Sequence, residues 1–161
     1  MHYRITGLPE TQFSHLFDVP EAGLAAFQAV SVIADRPHAF PCRISLTDAQ
    51  PGERVLLTPY AHHPVNTPYR STYAIYVRPG ESRYDAIDEL PEMLRRRVLS
   101  LRAFDRNGMM VGCELAEGRE AEPVIRELLS SEATAYLHAH FAKAGCFAAK
   151  IVRAQSGCCS Y

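Results

Sequence analysis

The 161-residue chain predicts an α+β fold, a curved and largely antiparallel sheet with short helices packed mainly on one face. Three observations carry this. Alternating or β-branched apolar segments recur with turn signals between them. Helical periodicity is confined to a few short stretches. Two segments near the C-terminus read as glycine-turned hairpins, so sequence neighbours pair antiparallel. One domain, residues 1–161, suits this length, and the small polar flanks of SGCCSY mark 154–161 as a frayed tail.

In order, HYRITGL alternates as a short strand. Pro9 suits the first turn of a helix whose Phe13, Leu16 and Phe17 fall at i, i+3 and i+4. Pro20 opens a second short helix with Leu24 and Phe27. AVSVIAD, residues 29–35, is β-branched enough for a buried strand. CRISL and RVLLTPY read as strands joined by TDAQPGE, where Thr47 and Gln50 cap one helical turn. The proline-punctuated AHHPVNTPYR is a long loop, and STYAIYVR returns as a strand. Helix signals follow at DELPEMLRRR, whose LRRR reads as a solvated end, and at REAEPVIRELL.

Hydrophobic matching sets the register of both hairpins. In VLSLRAFDRNGMMVGCEL, a three-residue loop ending in Gly108 pairs Leu99 with Leu115, Leu101 with Cys113 and Ala103 with Val111. That makes Cys113 a core residue. In YLHAHFAKAGCFAAKI, a loop Lys143-Ala144-Gly145 pairs Phe141 with Phe147, Ala139 with Ala149 and Leu137 with Ile151. Tyr136, His138, His140, Cys146 and Lys150 then share the other face. His140 lies diagonal to Cys146, with Cβ atoms about 5.5 to 8 Å apart.

Composition narrows the partners. A net charge of −1 gives no basic footprint for nucleic acid, and no apolar run is long enough to cross a membrane. The opening MHYRITGLPE lacks an apolar signal region, which points to the cytoplasm, where the five cysteines stay reduced. No CxxC pair, GxGxxG, GxxxxGK[ST] or GxSxG occurs, so no cofactor is implied.

The leading expectation is therefore an enzyme-like site for a small anionic molecule. Cys146 is its nucleophile or redox thiol, His140 the base and His138 a second polar or relay group. Arg43 and Arg70 hold the anion through guanidinium forks. Tyr60 and Tyr69 supply a phenol donor or stacking wall. Of the adjacent His62 and His63, diverging on extended backbone, at most one joins. Three alternatives stand beside it: a solvated sheet face bearing the two strand histidines, a non-catalytic binding or interaction module, and a His/Cys metal site. Metal ranks below the thiol because the hairpin carries no acid to orient the imidazoles. Oligomeric state is left open.

Taken together and in order, FPCRISL, DAQPGERVLL, PYRSTYAIYVR, LRAFDRNGMMV and YLHAHFAKAGCFAAKI resemble the bacterial family catalogued as domain of unknown function 1203. The resemblance runs from YRITGLP to about Arg153. It implies a bacterial source and a single domain, and it carries no activity or site. The chain departs from the family pattern at Phe141, where an asparagine is expected, and at STYAI (71–75), where Ser-Gly-Pro-Ile is expected.

Overall fold

Residues 1–154, which the computed structural model describes, place eleven strands in two sheets. The first runs β7 (Asp85–Ile87), β1 (His2–Thr6), β11 (Phe147–Ala154), β10 (Tyr136–Phe141), β8 (Val98–Phe104), β9 (Met110–Glu117), antiparallel throughout. The second runs β2 (Val30–Ile33), β5 (Arg54–His63), β6 (Ser71–Val77), β3 (Pro41–Cys42), β4 (Thr47–Asp48), with β3 parallel to β6. The α+β class holds, with the expected single sheet divided in two.

Each face of the first sheet buries apolar side chains. On one, helix α3 (Ala121–Ser130) lays Ala121, Ile125 and Leu129, spaced i, i+4, i+8, against Leu99, Leu101, Leu137, Ala139 and Ile151. Helix α2 (Glu92–Arg95) adds Met93 and Leu94 to that core. On the other, Phe147 joins Phe13, Leu24, Leu56, Ile75 and Val77, bringing in the second sheet and the N-terminal turns. These turns are the 3₁₀ segments Glu10–Gln12 and Glu21–Phe27 and helix α1 (Ser14–Phe17).

Several local expectations change. AVSVIAD forms a strand at a sheet edge, with Val30 and Ile33 exposed rather than buried. CRISL is a strand only at Cys42, and residues 43–46 turn. Thr47 and Asp48 pair with β3 instead of starting a helical turn. Strand β5 runs on through His62 and His63, which the sequence reading placed in a loop. Ala154 pairs with His2, and the tail beyond it lies outside the described residues.

The hairpins carry the main correction. Both glycines adopt the expected left-handed conformation, φ 85° at Gly108 and 79° at Gly145. Each second strand, however, carries a bulge that turns part of it over. In β8–β9 the register steps from Phe104↔Met110 to Ala103↔Gly112, so Leu101 faces Glu114 and Cys113 is exposed. In β10–β11, Leu137↔Ile151 and Ala139↔Ala149 hold, but the next pair is His140↔Phe147. Phe141 N–H donates to Cys146 O, so Cys146 shares the face of Phe141. The cause is the second core: Phe147 is drawn to one face while Ala149 stays on the other, and only an extra residue, Ala148, reconciles them.

Gly7 joins strand β1 to the 43–46 turn. A Cβ there would lie 1.9 Å from Ile44 O, while Leu8 N–H donates to Arg43 O at 2.7 Å. Gly7→Ala is expected to destabilise the fold by about 3 kcal/mol, because backbone must move to admit the methyl group. A lower urea midpoint with an unchanged m-value is the readout.

Candidate functional site

The turn after β3 delivers a buried cation. Arg43 is 1% exposed, and its backbone is pinned on both sides, N–H to Tyr76 O at 3.0 Å and C=O from Leu8 N–H. Its guanidinium donates from Nε to Phe147 O at 2.8 Å, from Nη1 to Pro41 O and from Nη2 to Cys146 Sγ at 3.1 Å. The carbon of the fork sits 5.0 Å from the centre of the Phe141 ring, and that of Arg97 lies 4.9 Å from it. Burial pulls Arg43 below the ordinary arginine value, with Cys146 and Cys42 acting the other way, but the group starts so high that it stays charged.

Arg43 and Cys146 line a cleft of about 850 Å³ between the sheets. Its other basic side chains are Arg36, His38, Arg96, Arg97 and Lys143, and Leu57, Tyr73, Tyr76 and Phe141 form apolar walls. No acid is among the lining residues. Arg97 is neutralised by Asp48 at 2.6 Å and Arg96 by Glu92 at 3.2 Å. Arg43, in contrast, bonds two carbonyls and a thiol, and none of its bonds goes to a carboxylate. The hairpin tip that carries Cys146 is tied down by Tyr73 Oη donating to Ala144 O at 3.0 Å.

On the opposite face of that hairpin lies a histidine cluster. A register shift between Tyr60 and His63 lets both adjacent histidines of β5 turn toward β10. The His62 ring centre is 5.1 Å from His140 and 6.1 Å from His138, and His63 is 5.2 Å from His138. His62 stacks on Phe147 at 5.3 Å, and His63 packs on Phe104 at 4.2 Å. Because a carbonyl only accepts, His63 donates from Nδ1 to Tyr69 O at 3.0 Å. With that proton on Nδ1, Nε2 accepts a hydrogen bond from the Tyr136 hydroxyl at 2.9 Å. His140 likewise donates from Nδ1 to Gly145 O, and its Nε2 is buried with no partner.

Burial is the main force holding these rings neutral, at about 2 for His138, about 3 for His140 and about 4 for His62. Neighbouring histidines add to it for His138 and His62, and Arg102 adds to it for His140. Among the described residues, no group of three His, Cys, Asp or Glu side chains is arranged to hold a metal ion.

The structure thus divides the expected site. It brings Arg43 and Cys146 together, and separately gathers His62, His138 and His140. The Cys146–His140 couple does not form, because the bulge puts the thiol with Phe141 and Phe147 with His140. Nor are the strand histidines solvated; His138 is 3% and His140 1% exposed. Tyr60 is half-buried and packs on the edge of the second core, against Phe13 and Phe147. Tyr69 serves the cluster through its carbonyl, and Arg70 is exposed and away from the cleft lining. Arg97, Phe141, Lys143 and Tyr73 are cleft residues that the sequence reading did not identify, since LRRR looks like an ordinary helix end.

Two sheets with a cleft lined by basic side chains between them, and helices packed on one face, define the chain as an α+β protein. Residues 39–153 match the family described as protein of unknown function (DUF1203), and the chain belongs to it. No curated protein and no solved structure matches the chain. No helix among the described residues is long and apolar enough to cross a membrane.

The depressed histidines make an acid-sensitive fold. Below the ordinary value of 6.5, unfolded His138 and His140 take up protons that the folded chain refuses, so stability is full above that pH and falls as pH drops. His62, lowered to about 4, acts the same way; each contributes up to about 1.4 kcal/mol per pH unit between 6.5 and its own folded value, so the three lower the unfolding free energy by about 4 kcal/mol from pH 5.5 to 4.5. Urea unfolding across that range is expected to show this slope, and His138→Gln to lower it by about a third.

Proposed function

We propose that this protein binds a small organic anion in the cleft over Arg43, holding a carboxylate or similar planar group on the guanidinium fork. The observation that carries the reading is the fully buried Arg43 cation, whose bonding partners include no carboxylate. Removing a charge from water is expensive unless an opposite charge meets it. Arginine has five N–H groups, three of them used here, which leaves one on each terminal nitrogen. Two parallel donors of that kind suit the two oxygens of a carboxylate. The apolar walls Leu57, Tyr73, Tyr76 and Phe141 suit the body of such a ligand, and Lys143 at the rim adds attraction.

Titration calorimetry with benzoate and with its neutral amide tests this. Benzoate is expected to bind with one-to-one stoichiometry and benzamide at least about 100-fold more weakly, the scale of two charge-assisted hydrogen bonds. Arg43→Met is expected to remove benzoate binding. A panel of small carboxylates and inorganic phosphate that all fail to bind would reject the proposal.

A further inference from the structure

We infer that Cys146 is the acceptor thiol of this cleft, taking small carboxylates whose carbon next to the carboxyl group is electrophilic, with Arg43 as the positioning residue. The inference rests on the anion-binding reading above. Cys146 Sγ and a carboxylate on the fork would share one nitrogen, Arg43 Nη2, which already stands 3.1 Å from the sulfur. A carboxylate oxygen on that nitrogen lies about 2.8 Å from it. Held through that single oxygen rather than across both terminal nitrogens, the carboxylate can turn its attached carbon toward Sγ, an approach that accelerates bond formation.

Two other observations single out this thiol. Cys42, the neighbour of Arg43, is held as a thiol by burial, pushed up to about 12, and donates to Phe40 O instead of lining the cleft. Cys113 is exposed on β9, away from the cleft lining. Among the described cysteines, Cys146 alone joins a cavity wall to a buried cation. With a 2-oxo acid the step is addition. The S–C bond forms, the carbonyl π pair moves to oxygen, and that oxygen takes the thiol proton. The product is a hemithioketal and needs no co-reactant.

Paired alkylation supplies the test. Iodoacetate carries a carboxylate beside its reactive carbon, and iodoacetamide is its neutral counterpart. In each case the S–C bond forms, iodide leaves with the C–I pair, and the thiol proton goes to solvent. Rates at Cys146 and Cys113 are read by peptide mapping of the full chain under reducing storage. The iodoacetate-to-iodoacetamide rate ratio is expected to be at least about tenfold higher at Cys146 than at Cys113, and to saturate with iodoacetate concentration. Benzoate is expected to protect Cys146 from both reagents, and Arg43→Met to abolish the preference. Equal ratios at the two cysteines overturn the inference, in the wild-type protein and without any variant. If benzoate still binds by calorimetry, only the thiol assignment falls; if it does not, the anion cleft falls with it.

Discussion

A guanidinium shut away from water holds the two halves of this molecule in register. Arg43 reaches from the second sheet to the carbonyl of Phe147 in β11 and to the sulfur beside it, while its own backbone is held by β6 and by the end of β1. Four segments distant in sequence therefore meet at one residue. A charge so placed is a poor stabiliser taken alone, since desolvation offsets much of what its hydrogen bonds return. Its value is geometric: three fixed donors tie the turn after β3 to the hairpin beside the cleft.

The same hairpin supplies two chemically different surfaces because of one extra residue. Ala148 bulges, and the side chains before it exchange faces relative to simple alternation. Phe147 goes to the aromatic and imidazole cluster, and Cys146 goes to the cleft. In the first environment burial holds His62, His138 and His140 neutral. The second is cationic and open at one side. Neither environment borrows a side chain from the other, although His140 is tied to the Gly145 carbonyl adjacent to Cys146.

What the sequence made legible follows from the physics of each signal. Short-range rules worked: alternation located β1, β5, β6 and the hairpins, proline marked the N-terminal turns, and both loop glycines are left-handed. Arg43 and Cys146 were both named, and they do meet. The pairing of Cys146 with His140 was not legible, because matching apolar residues presumes one greasy face per strand. Here β10 is buried on both faces, from Leu137 through Phe141, so a bulge costs less than leaving Phe147 unpacked. The partnership of His62 and His63 was hidden for a similar reason, a second bulge in β5. Arg97 was hidden because its partner Asp48 lies 49 residues away.

The outer strand β9 shows how such a bulge also governs the company the protein keeps. Its shift near Met110 leaves Val111 and Leu115 exposed on a sheet edge, a surface that invites strands of other chains to add on. The same shift sends Glu114 to the helix-facing side, opposite Leu101. A strand docking there in register would have to desolvate that carboxylate, and the kink beside it spoils the straight run of hydrogen bonds needed for extension. The distortion that misled hydrophobic matching thus guards the fold against edge-to-edge aggregation.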